Sequence, residues 1–311
     1  MSSFSSFKYQ LDSALELLES SDQIKQLDLP QVLGSQVVDT ESLLSRCTNI
    51  CDKHKKKKPT IRIIHHLACS GGTLISKCIS SMPNVYLLSE VHPYTELGID
   101  LNNPTYRPTD LISLAKYARF PKQRQLSAEM FLDGIQKLHS HTVETGGVLV
   151  LRDHTHADFC TKESIPAESA LVSLLKEDFD VKSILTLRDP IDAFSSLRKN
   201  RWVHFAPNTF DEYCRRVLLV MDKFESKNTF RYESFVKAPE EIMNLMCVEL
   251  SIPYDSVFKD IFGMFKVTGD SGRSSDIIHT RERMDISGLT KEIESSNYYK
   301  KYLSKINKLK V

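Results

Sequence analysis

The stretch that decides the fold is Ile61 to Glu90, IRIIHHLACSGGTLISKCISSMPNVYLLSE. It reads as a buried apolar strand, a loop of small residues, a helix, and a second strand ending in a carboxylate. That is the layout of a βαβ phosphate-binding unit. The loop Cys69-Ser70-Gly71-Gly72-Thr73-Leu74 lacks the Gly-Lys-Ser/Thr ending with which nucleoside triphosphatases hold phosphate and magnesium. A loop that grips phosphate without that lysine points away from ATP chemistry and towards a different nucleotide.

Outward from this unit, apolar β-rich runs alternate with helical ones. The strands expected are Ile61–Leu67, Val85–Leu88, Gly147–Leu151, Ser183–Leu187 and a shorter Thr229–Arg231. Such alternation implies a P-loop-like three-layer α/β/α domain with a central parallel sheet covered on both faces. Residues 59–311 form this domain. Before it, residues 8–27 and 40–54 carry helical periodicity and are separated by Pro30 and Gly34. Lys55–Lys58 followed by Pro59 marks a boundary, so residues 1–58 read as an N-terminal helical arm. Homodimer contact through those helices is one role for it, substrate cover another.

Composition bounds the function. The chain has 311 residues, 41% apolar and 26% charged, with formal net charge +1. That near-neutral balance argues against general nucleic-acid binding. No apolar run reaches the ~18 to 20 residues of a membrane span. The first residues lack the basic-then-apolar pattern of a secretory signal. The seven cysteines are scattered. Cys47 and Cys51 lie one helical turn apart, and no second pair completes a zinc site. These features together predict reduced thiols and a cytoplasmic protein.

Open α/β sheets bind ligands at the carboxyl ends of their strands. Four strands here deliver polar groups to that edge: Ser70–Thr73 after the first, Ser89-Glu90 after the second, Arg152-Asp153-His154 after the third, and Arg188-Asp189-Pro190 after the fourth. Gly71 and Gly72 let backbone approach an anion, and the following helix, expected over Leu74–Ser81, presents free N–H groups at its start. Ser70 and Thr73 add hydroxyls. Asp189-Pro190 starts a helix reaching about Arg201, with Asp as cap and Pro at the first position. Arg188 lies just outside it and Ser196 two turns along, a pair able to clamp a terminal phosphate.

These elements resemble the two signatures of sulfotransferases that use 3′-phosphoadenosine 5′-phosphosulfate (PAPS). Cys69 to Leu74 is similar to that family's phosphosulfate loop, and Arg188 with Ser196, in LRDPIDAFSSL, to its 3′-phosphate site. Phe230-Arg231-Tyr232-Glu233-Ser234-Phe235 followed by Pro239-Glu240-Glu241 is similar to a third stretch, whose tyrosine lies near the adenine. The resemblance implies PAPS as co-substrate, with Ser70, Gly71, Gly72, Thr73, Leu74, Arg188, Ser196 and Tyr232 in its site. Arg273 and Ser274, in a polar tail segment, are expected as further donors, with Arg281 and Arg283 behind them. It also implies a base that takes the acceptor's proton. Glu90 follows Pro83-Asn84-Val85 at the spacing seen in tyrosylprotein sulfotransferases, and His154 sits in the slot that small-molecule sulfotransferases fill with histidine; Glu90 is preferred. The family's lysine or arginine before Ser-Gly is Cys69 here, so another cation must stabilise the leaving oxygen; Arg152 and Lys77 are candidates.

The acceptor is a small molecule, a glycan or a peptide, and no metal is needed. Two other functions are weighed: a non-catalytic protein that binds the 3′-phosphorylated nucleotide, and a P-loop-like small-metabolite kinase, for which Lys77 lies too far into the helix. His65 and His66 read as core histidines on opposite faces of the first strand. His154-Thr155-His156, flanked by Asp153 and Asp158, is a weak metal pattern without a third ligand. Trp202 is expected at a helix end, where it could line the acceptor pocket.

Overall fold

The structure is a computed structural model that describes residues 58–161, 164–269, 277–280, 283 and 286–308. The expected helical arm, Arg273, Ser274 and Arg281 lie outside the described residues.

Five strands form one parallel sheet: β1 Thr60–His66, β2 Val85–Val91, β3 Val148–Asp153, β4 Asp180–Leu187 and β5 Thr229–Arg231, in the order β2-β3-β1-β4-β5. The order makes β1 the central strand, flanked by β3 and β4. Helices link the strands. In chain order they are α1 Gly72–Ser80, α2 Leu111–Tyr117, α3 Gln123–Glu144, α4 Thr155–Phe159, α5 Ala170–Leu175, α6 Pro190–Asn200, α7 Phe210–Met221, α8 Tyr232–Lys237, α9 Pro239–Leu250, α10 Phe258–Ile261, α11 Thr290–Ser295 and α12 Asn297–Ile306. The expected strands are all present. β2 runs three residues further than expected, through a register irregularity between Leu88 and Val91, so Ser89 and Glu90 belong to the strand rather than to a loop.

Strand side chains alternate between faces, and this places the site. On β1 and β3, Ile64 and Val150 pack with Ile75 and Cys78 of α1 and with Met243 and Met246 of α9. Their neighbours Ile61, Ile63, Leu149 and Leu151 pack on the other face with Ile135 of α3 and Leu171 of α5. By the same alternation His66 and Arg152 emerge on the α1 side, and His65 and Asp153 on the α3 side.

His65 and Asp153 are accordingly a core pair, with Nδ1 and Oδ2 2.8 Å apart. Asp153 Oδ2 also accepts from Thr155 Oγ1 and Ser169 Oγ at 2.9 and 3.0 Å. Burial would raise the Asp153 carboxyl, but the bond and charge of His65, with His92 and the Thr155 hydroxyl, together outweigh it and hold it low. A third cluster closes the β4 end, where Leu185 and Leu187 meet α6, α7 and α12; Phe194 stacks on Tyr213 at 5.5 Å there.

Candidate active site

The loop between β1 and α1 is tightly wound. Cys69 has φ 65° and Gly71 φ 86°. Gly71 caps α1, and no side-chain cap takes up the first N–H groups of the helix. Both glycines are required by space. A Cβ on Gly71 would lie 2.2 Å from the Tyr232 ring, and one on Gly72 2.2 Å from the His66 ring. Ser70 is buried and donates its hydroxyl proton to the Leu67 carbonyl at 2.7 Å; its oxygen shapes the loop first and is left only to accept. α1 begins at Gly72, two residues before the expected Leu74, because Gly71 alone makes the left-handed turn and Gly72 is already helical.

One arc of contacts joins the sequence-distant candidates. Tyr232 covers Gly71. Arg188 stacks over Tyr232, its guanidinium carbon 5.4 Å from the ring centroid, and its Nη1 donates to the Cys69 carbonyl at 3.3 Å. Asn200 Nδ2 reaches Cys69 Sγ at 3.8 Å and Ser196 Oγ at 3.4 Å. Asp189 caps α6, accepting from Ile191 N at 2.9 Å. Arg283 pairs with Asp189 and Asp192, so its charge goes to the start of α6 rather than to the loop.

A second arc lies on the other side of the loop. Glu90, with φ 58°, turns its carboxylate onto Arg152, Oε1 to Nη2 2.5 Å. Arg152 is 3% exposed. Its Nε donates to His66 Nε2 at 2.9 Å and its Nη1 to Ser89 Oγ at 3.0 Å; Nη2 stands 3.5 Å from Thr73 Oγ1. Thr268 closes over this cluster by bonding Ser89, and Gly269 packs on Glu90 closely enough to exclude a Cβ. His154 Nε2 is 3.9 Å from Glu90 Oε2. The three expected catalytic groups, Glu90, Arg152 and His154, are therefore neighbours. Lys77 is buried within α1.

The protonation states follow. Burial, then the Arg152 cation, lower His66 to about 4 in spite of Glu90. Its ring is neutral at pH 7, and because Nε2 accepts from Arg152 its proton sits on Nδ1, a buried atom with no partner. Burial alone would raise the Glu90 carboxyl; the closeness of His66, Arg152 and His154 outweighs it and holds Glu90 at about 2. Burial lowers His154 as well.

Beside Glu90 opens a cleft of about 810 Å³. Its wall includes residues the sequence reading set aside or passed over: His66, His92, His156 and His204, with Trp202 at the rim. His66 had been read as a core residue; alternation alone would have put it on the α1 face beside the loop. His204 follows the end of α6 in a loop with no pattern of its own. The residues of the weak metal pattern go to separate partners: Asp153 to His65, and Asp158 to His92 at 3.1 Å. No group of metal-ligating side chains occurs among the described residues, nor any helix long and apolar enough to cross a membrane.

No protein-family model and no curated protein matches the chain. Among solved structures it is similar to a sulfotransferase domain from the curacin biosynthetic pathway, at 17% identity and TM-score 0.48, over 81% of this chain and 99% of that one. It is also similar to a mouse sulfotransferase, SULT7A1, complexed with PAP, at 12% identity and TM-score 0.38, over 80% of this chain and 90% of that one.

Proposed function

We propose that this chain transfers a sulfuryl group from PAPS to an acceptor hydroxyl. The contact that carries the reading is Arg188 Nη1 on the Cys69 carbonyl at 3.3 Å. It joins Arg188, just ahead of the helix that carries Ser196, to the phosphate loop, so one nucleotide can bridge both. In this reading the N-terminus of α1 and the backbone around Gly71 hold the 5′-phosphosulfate, Arg188 and Ser196 take the 3′-phosphate, and Tyr232 lies against the base.

The reading assigns the proton to His154. Glu90, tied to Arg152 and acidic to about 2, is a weak base, whereas burial keeps His154 neutral at pH 7 and able to accept. The acceptor oxygen attacks sulfur, His154 takes its proton, and the bond from sulfur to the bridging oxygen breaks. Glu90 steadies the imidazolium. Arg152, beside Thr73, supplies the positive charge that Cys69 cannot, and the leaving bisphosphate keeps the electron pair.

The test is thermal denaturation with adenosine 3′,5′-bisphosphate, ATP with magnesium, and AMP. At one hundred times its Kd the bisphosphate adds ~2.7 kcal/mol of stability, and Arg188→Ala removes that gain. Preference for ATP with magnesium, or an undiminished gain in Arg188→Ala, refutes the reading.

A further inference from the structure

Besides Glu90 and His154, the cleft is lined by α2 and the chain just before it. Ile112, Ser113 and Lys116 are spaced to share one face of that helix, and all three line the cleft. Lys116 is 8% exposed. Its ammonium has three N–H donors and two acceptors, the Thr95 carbonyl at 3.0 Å and the Tyr94 carbonyl at 3.4 Å. Both acceptors are neutral, and no carboxylate among the described residues forms an ion pair with it. Burial lowers its pKa, and the charges of Glu96 and Asp110 offset that only in part. A cation taken out of water without an anion beside it is costly.

The carboxylates in the neighbourhood are engaged elsewhere or stand in solvent. Asp110 caps α2, accepting from Ser113 N at 3.1 Å and from the Ser113 hydroxyl. Glu90 faces Arg152 and His66, and Asp158 faces His92. Glu96 is exposed. A second cation, Arg107, lines the same cleft. It is exposed, and its one acceptor among the described residues is the Gly98 carbonyl at 3.5 Å. Leu97, Ile99, Ile112 and Phe131 give the cleft apolar surface.

From a buried ammonium with a donor to spare and a second cation in the same cleft, we infer that the acceptor is a hydroxy acid. Its apolar body carries a carboxylate to Lys116 while its hydroxyl meets His154. The carboxylate supplies the anion that Lys116 lacks and accepts the third N–H in a charge-assisted bond. Arg107 adds a weaker attraction, because water reaches it. An amide of the same shape brings no charge to either cation. A cleft of about 810 Å³ has room for such a molecule. The reacting hydroxyl rests on the proposed sulfuryl transfer; the carboxylate site does not.

Isothermal titration of the full chain with para-hydroxyphenyl acetate, propanoate and butanoate, each against its own amide, tests the site. The three lengths vary the span from hydroxyl to carboxylate, and each pair is titrated with and without adenosine 3′,5′-bisphosphate. At least one acid is expected to bind tenfold or more tightly than its amide, the low end for a charge-assisted hydrogen bond. Lys116→Met is expected to cut that ratio at least fivefold and Arg107→Gln about twofold, with amide and bisphosphate affinities within about twofold of the parent. Amides that equal or outbind their acids at every length, no saturable binding of any acid, or a ratio that survives in folded Lys116→Met overturns the inference. Should Lys116→Met not fold, a parent ratio below tenfold, or one unchanged in Arg107→Gln, overturns it. A bisphosphate that fails to bind sinks the proposed transfer and leaves the acid–amide result standing.

Discussion

Replacing Glu90 with glutamine removes the carboxylate that faces His66 and Arg152 at the centre of the site. Glu90 Oε1 lies 2.5 Å from Arg152 Nη2, and Arg152 is 3% exposed, so removing the charge strands a buried guanidinium. Glutamine keeps the shape and one accepting oxygen, and the loss is therefore mainly electrostatic. A carboxyl that drops from 4.5 to about 2 on folding stabilises the protein by about 3 kcal/mol at neutral pH. The folded value is depressed, so the stabilisation is present above the unfolded pKa and is lost as pH falls from about 4.5 through about 2. Urea unfolding at 25 °C, repeated from pH 7 to pH 2, reads this directly. Glu90→Gln should be less stable by about 3 kcal/mol at pH 7, and the two curves should draw together as pH falls towards 2, where the carboxyl is protonated in the unfolded parent and half protonated in the folded one. His66 and His156, whose folded values are also lowered, destabilise both proteins as pH drops below 6.5, and more so in Glu90→Gln, because the Glu90 charge raises both. An offset that stays constant with pH, or no offset at all, refutes the ion-pair account.

Gly71→Ala should cost at least the 1 to 2 kcal/mol of a left-handed non-glycine residue, because φ is 86° and the new methyl meets Tyr232 at 2.2 Å; bisphosphate affinity should fall with it, measured by titration, and an unaltered affinity would argue that Tyr232 does not define the nucleotide site. Among the described cysteines, Cys69 is partly exposed while Cys78, Cys160, Cys214 and Cys247 are buried, with thiols that burial pushes upward. In a Cys47→Ser, Cys51→Ser background a disulfide reagent should label Cys69 alone, and bisphosphate should slow the labelling at least tenfold; equal rates with and without nucleotide would place the ligand elsewhere.

The sheet was legible because strand and helix periods are local. Apolar runs such as Ile61–Leu67 and Ser183–Leu187 need only their own residues to declare themselves, and Asp189-Pro190 announces a helix start for the same reason. The cluster of Arg152 with Glu90 was partly legible, since strand ends in a parallel sheet converge on one rim. Its partners were not: His66 belongs to it because β1 lies beside β3 with Ile64 opposite Arg152, a pairing no local pattern reports.

The amino-acid order alone determined the alternation of elements, the glycines of the phosphate loop, and the candidates Glu90, Arg152, His154, Arg188 and Ser196. Only the tertiary structure decided that Arg188 reaches Cys69 across 119 residues, and that Glu90 is held acidic by His66 and Arg152. Propensity and periodicity act over a few residues, whereas desolvation, ion pairing and an unsatisfied nitrogen depend on which distant segments the packed sheet brings side by side.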